Sequence, residues 1–67
     1  MTKKELLEAV REKPRSIDDL IVNRSETKPE IMMLALELGD FVVLQKFGNA
    51  TISITPKGAE ALPNLPD

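Results

Sequence analysis

The chain has 67 residues, with 9 Lys and Arg against 11 Asp and Glu, and it contains neither Cys nor His. That length holds one small domain, which buries only roughly 60% of the surface its unfolded chain exposes. Without Cys and His there are no disulfide staples, no zinc sites of the usual kind and no Cys–His or Ser–His–Asp catalysis, and no cofactor is expected.

Charge is spread unevenly. Residues 1–16 hold five basic and three acidic side chains, residues 17–40 two and six, and residues 41–67 two and two. Nucleic-acid binders usually show a basic face, and only the first segment offers one. No apolar run approaches the roughly 20 residues of a membrane span. Residues 5–15 carry six charges, so no signal-peptide apolar region follows the basic start. The expectation is a soluble cytoplasmic protein with no membrane partner, and the lack of Cys agrees with it.

Residues 2–13 read as a first helix. Thr2 and Glu5 have the spacing of a capping box, in which each side chain satisfies the other's backbone N–H. Leu6, Leu7, Ala9 and Val10 make its apolar stripe, and Pro14 stops it. Residues 16–23 read as a second, shorter helix. Ser16 is its cap, and Asp18 and Asp19 lie in the first turn, where the helix dipole favours acid. Ile17, Leu20 and Ile21 form its apolar face, and Asn23-Arg24-Ser25 the turn that follows. Residues 28–38 read as a third helix. Thr27 and Glu30 repeat the capping-box spacing, Pro29 falls in the first turn, and Gly39 suits the left-handed position past the end.

The period then changes to alternation. Residues 41–47 and 51–55 are rich in β-branched and aromatic side chains, as strands are. Gly48-Asn49 makes the hairpin turn, with Gly48 at positive φ. Ile52 and Ile54 share a buried face; Thr51, Ser53 and Thr55 share a wet one. Thr55 caps, and Pro56 opens, a short helix on which Ala59 and Leu62 pack back, and Pro63 ends it. The expected architecture is therefore α+β. Three helices are followed by a two-stranded antiparallel hairpin and a short C-terminal helical turn over residues 1–62, with 63–67 as a flexible tail. A generic three-helix bundle with a hairpin is the alternative.

Two local sequences add a resemblance. Leu38-Gly39-Asp40-Phe41-Val42 resembles the close of the recognition helix in MarR-like and PadR-like regulators. Ser53-Ile54-Thr55-Pro56-Lys57-Gly58 resembles the stretch after their wing. The likeness covers residues 3–62 and implies a small winged helix-turn-helix. Those families carry further dimerisation helices, which this chain lacks, and basic residues at the wing tip, where this chain has Phe47-Gly48-Asn49-Ala50 with Lys46 as the only nearby charge.

In such a fold the third helix enters the major groove, and its exposed side chains read bases. Arg, Lys, Asn and Gln are the usual readers. On a helical wheel Ile31, Leu34, Ala35 and Leu38 cluster as the core stripe, Glu30 and Glu37 lie beside one edge, and Met32, Met33 and Leu36 fall opposite. The outer side has no base reader, and Glu26, Glu30 and Glu37 repel phosphate. The candidates for DNA contact are Arg24, Thr27 and Lys28 at the helix start and Gln45, Lys46 and Asn49 in the wing. The ordinary reading of Met32 and Leu36 is cover by the first two helices, with Met33 the most open. The sharper one is a partner interface formed by Met32, Met33 and Leu36. Lys3, Lys4, Arg11, Lys13 and Arg15 read as a solvated mixed-charge face with Glu5, Glu8 and Glu12, or as phosphate contacts from Lys13 and Arg15.

An enzyme is not expected. The carboxylates Asp18, Asp19, Glu26 and Glu30 would need a pocket that shifts their pKa values, and a chain this small encloses little. Two functions remain. One is a winged-helix DNA-binding, transcription-regulatory module acting on double-stranded DNA. The other is a winged-helix protein-interaction module that does not bind DNA and docks a protein partner or a second copy through the apolar third helix. Regulators are the commonest users of the fold, which favours DNA. The acidic centre and uncharged wing tip favour protein. Fold alone does not decide, and the expectation is the DNA-binding module, with the protein-interaction module as the alternative.

Overall fold

The computed structural model describes residues 1–22, 24–46, 48 and 50–66. The first helix, α1 (Lys3–Val10), opens on a complete capping box. The Glu5 N–H donates to the Thr2 hydroxyl at 3.1 Å, and the Thr2 N–H donates to the Glu5 carboxylate at 3.0 Å. The helix stops at Val10 rather than at residue 13. Pro14 sets that limit, because its ring collides with a helical carbonyl four residues back and it has no N–H to offer that carbonyl. Arg11, Glu12 and Lys13 form bends instead.

Ser16 then serves two elements. Its backbone belongs to a short strand, β1 (Arg15–Ser16). Its side chain caps the second helix, α2 (Ile17–Ile21), by accepting the Asp19 N–H at 3.0 Å. The third helix, α3 (Lys28–Leu38), has the expected bounds. Its start differs from expectation: Thr27 makes no cap bond to the backbone, and its hydroxyl donates instead to the Glu30 carboxylate at 3.1 Å. Pro29 removes one of the N–H groups that a capping oxygen serves. At the other end Gly39 has φ 57, a positive value that suits glycine.

A 3-10 turn (Gly39–Phe41) leads into β2 (Val42–Gln45), and β3 (Thr51–Ile54) returns antiparallel to it. Gly48 between them has φ 60, and the rest of the expected turn, Asn49, lies outside the described residues together with Asn23, Phe47 and Asp67. The sheet has three strands in the order β1-β3-β2, so the expected two-stranded hairpin is corrected to three. Arg15 pairs with Ile52 and Ser16 with Thr51, and the Ile17 N–H donates to the Ala50 carbonyl at 2.8 Å. A strand of two residues shows no alternation, which is why the sequence hid it. The fourth helix, α4 (Pro56–Ala61), runs on into a 3-10 turn (Leu62–Asn64). Leu62 is buried as expected, whereas Ala59 is exposed, and Gly58 is the residue that faces the body.

The core draws on α1, α2, α3, the sheet and the C-terminal turn. Leu6, Leu7, Val10, Ile17, Ile31 and Ile52 lose all but a trace of their exposure. Among the described residues no polar or charged residue is buried, and no helix is long and apolar enough to cross a membrane.

The segments Leu38–Val42 and Ser53–Gly58 meet in space. Thr55 caps α4 by accepting the Gly58 N–H at 3.1 Å, and the same hydroxyl donates to the Asp40 carbonyl at 2.6 Å. The Thr55 N–H donates to the Phe41 carbonyl at 3.0 Å. Gly58 lies so close that a Cβ there would stand 2.2 Å from the Phe41 oxygen and 3.1 Å from Ile54 Cγ1. Gly58→Ala therefore forces backbone apart, and it should lower stability by about 1–3 kcal/mol, the usual range for overpacking. Thr55→Val, which loses the cap and the bond to Asp40, should cost about 1 kcal/mol. Thermal unfolding by circular dichroism measures both, and equal stability of Gly58→Ala and wild type would contradict the close approach.

Candidate functional site

The spacing of apolar residues on α3 creates two faces. Ile31, Ala35 and Leu38, at i, i+4 and i+7, are buried. Pro29, Met33 and Leu36 have the same spacing on the opposite side, and all three are exposed. Met33 keeps 62% of its surface and Leu36 71%. Met32 and Leu34 are half-buried between the faces. Met33 is thus open, as the wheel indicates, and Met32 is partly covered. Leu36, for which cover by the first two helices is the ordinary reading, is the most open of the three.

Glu30 and Glu37 run along one edge of this face, and both are exposed. Beside them a shallow groove of about 270 Å³ is lined by Met1, Glu26, Glu30, Met33, Leu34 and Glu37. Lys3 reaches Glu37 at 3.8 Å, with both side chains about half exposed. Such a pair is weak.

Two of the three cations named for DNA contact, Arg24 and Lys28, pair at the surface with carboxylates of the same chain. Arg24 donates from Nε to Glu26 at 2.8 Å and stands 3.6 Å from the Glu5 carboxylate. Glu26 also accepts from the ammonium of Met1 at 2.5 Å. Lys28, the first residue of α3, pairs with Asp18 of α2 at 2.9 Å. Thr27 is exposed and bonded to Glu30. The α3 start therefore carries Asp18, Glu26 and Glu30 beside its cations. Gln45 lies at the end of β2 opposite Thr51, and Lys46 follows it; both are exposed. Asn49 lies outside the described residues. Arg15 of β1 pairs with Asp19 of α2 at 3.3 Å.

These pairs also decide what the carboxylates can do. The hydrogen bond from Arg24, and then that from the Met1 ammonium, hold Glu26 down at a pKa of about 2. Backbone and hydroxyl bonds at Thr2 hold Glu5 below its ordinary value, with Arg24 adding to the effect. Arg24 is raised in turn by its bond and charge contact with Glu26. Carboxylates lowered in this way stay ionised at neutral pH and are not poised to donate protons. Among the described residues, no three acidic side chains converge on a point that would hold a metal ion.

In the sequence Glu30 and Glu37 read only as groups that repel phosphate. The signal was present in their seven-residue spacing, which puts them in one row beside Met33. The Lys28–Asp18 pair joins residues of two helices, and no spacing rule reveals it. Compared with known proteins, the chain matches no family model, no curated protein and no solved structure.

The lowered pKa of Glu26 has a defined pH signature. A carboxylate whose pKa falls from 4.5 to about 2 on folding adds stability above pH 4.5 and loses it as pH drops towards 2. Urea midpoints should fall across that window in wild type. Glu26→Gln should be less stable at neutral pH and should show a flatter acid limb. An acid limb of unchanged steepness in the variant would place the ionisation elsewhere.

Proposed function

We propose that this chain is a winged-helix protein-interaction module that docks through the outward face of α3. The observation that carries the reading is that face: Pro29, Met33 and Leu36 stand in the open where a reader of bases would present Arg, Lys, Asn or Gln. A small domain gains nothing in stability from exposed Met and Leu there, and apolar side chains grouped on one face usually mark a contact surface.

The fold part of the proposal is supported by the order helix, short strand, helix, helix, hairpin, with β1 on the far side of β3 from β2. The function part is supported by charge. Arg24 and Lys28 are already matched by Glu26, Glu5 and Asp18, so a phosphate would have to displace carboxylates that remain on the spot. The DNA reading keeps one favourable observation, the exposure of Gln45 and Lys46 at the hairpin end.

Titration with random-sequence duplex DNA at low and moderate salt separates the two readings. Phosphate contacts release counterions, so DNA affinity falls steeply with salt. The expected result is no micromolar binding at low salt. Amphipathic helical peptides with one leucine face should include a binder, and Leu36→Lys should weaken it at least about tenfold, the loss expected for one buried leucine. Micromolar, salt-sensitive duplex binding that Lys28→Glu abolishes would overturn the proposal in favour of a DNA-binding regulator.

A further inference from the structure

The outward face of α3 is not electrically neutral, and its edge says what kind of chain fits it. Pro29, Met33 and Leu36 form one row; Glu30, Met33 and Glu37 form another, at i, i+3 and i+7, sharing Met33. The two carboxylates lie two helical turns apart, about 10.5 Å along the axis. Methionine at the crossing is unbranched and adapts to the shape of whatever it meets.

The local cations leave part of this acid edge open. Glu26, deeper in the groove, is already matched by Arg24 and by the Met1 ammonium. Among the described residues, Glu30 accepts only the Thr27 hydroxyl. Glu37 has Lys3 at 3.8 Å, with both groups about half in water. A new cation therefore meets one carboxylate without an ion partner and one held by a weak, exposed pair that is readily replaced.

We infer that the occupant of this face is a basic amphipathic helix of another protein, with an apolar side that packs on Met33 and Leu36 and two Lys or Arg residues seven positions apart that reach Glu30 and Glu37. The inference rests on the interaction reading above and adds the charge and spacing of the partner. A helix laid on a helix presents its own i, i+3, i+4 and i+7 positions to the contact, so apolar anchors between the two cations coincide with the Met33–Leu36 row. A second copy of this chain fits less well, because its own α3 would bring Glu30 and Glu37 into the contact with Lys28 as the sole cation of that helix, itself bound to Asp18.

The test uses the full chain and two synthetic helical peptides with the same leucine face, one with lysines seven apart beside it and one with glutamates there. Fluorescence anisotropy of labelled peptide gives the affinities, and sedimentation gives the mass of the protein alone. The lysine peptide should bind at least about tenfold tighter at low salt, and added salt should narrow the difference. Glu30→Lys with Glu37→Lys should reverse the preference, and Leu36→Lys, with Leu36→Ala as the milder variant, should weaken both peptides. Circular dichroism melts check that the variants fold, as exposed positions allow. Equal binding of the two peptides, still lost in Leu36→Lys, would overturn the basic partner and keep the interaction reading. A dimer that Leu36→Lys dissociates would do the same, with a second copy as the occupant. If neither peptide binds and the protein is monomeric, both readings fall.

Discussion

The hydroxyl of Thr55 and the two carbonyls beside it hold the molecule's geometry together. The hydroxyl accepts from Gly58 and donates to Asp40, while the Thr55 N–H donates to Phe41. β2 starts directly after Phe41, and β3 ends directly before Thr55. The three bonds therefore close the base of the hairpin, at the end opposite its turn. They also fix α4 against the exit of α3. Gly58 makes this contact possible, because any side chain there would collide with the Phe41 carbonyl. Once the base is closed, the pairing of Val42 with Ile54 and of Leu44 with Ile52 follows in register, and Ile52 is delivered fully buried into the core.

What the fold covers and what it leaves open have one cause. α1, α2 and β2 all pack against α3. They serve its Ile31–Ala35–Leu38 face and leave Met33 and Leu36 on the other side exposed. Helix formation does not require Met33 and Leu36 to be apolar, since Lys, Gln or Glu supports a helix about as well. The exposed apolar row is therefore a property of the surface and has no counterpart in the stability of the fold.

Signals within one turn of the chain were legible in the sequence, and contacts between elements were not. The Thr2–Glu5 box and the positive φ of Gly39 depend on neighbours only, and both are present. The same box spacing at Thr27 and Glu30 yields a different bond, because the Thr27 hydroxyl donates to the Glu30 carboxylate and accepts no backbone N–H. β1 exists through its pairing with β3 and carries no pattern of its own. The reason for a glycine at position 58 lies 17 residues away, at the Phe41 carbonyl. Ala59, expected to pack back on the body together with Leu62, is exposed, and its neighbour Gly58 makes the contact because the approach is too close for a side chain. The first two helices do not extend to Leu36, which is exposed where cover by them is the ordinary expectation.

The same limit applies to charge, and there it changes the functional reading. Counted along the chain, Arg24 and Lys28 are the cations of an acidic segment and look available for phosphate. In space they complete Glu5, Glu26 and Asp18, which come from α1, the turn before α3, and α2. An exposed pair such as Lys28–Asp18 adds little to stability. The larger effect of these pairs is on what the surface shows to an approaching molecule, since each matched cation is withdrawn from the long-range field. What remains on the α3 edge is the charge of Glu30 and Glu37. The pairing that removes the positive end of the face is thus what gives the apolar row an acidic border, and an acidic border repels phosphate while it draws in lysine and arginine.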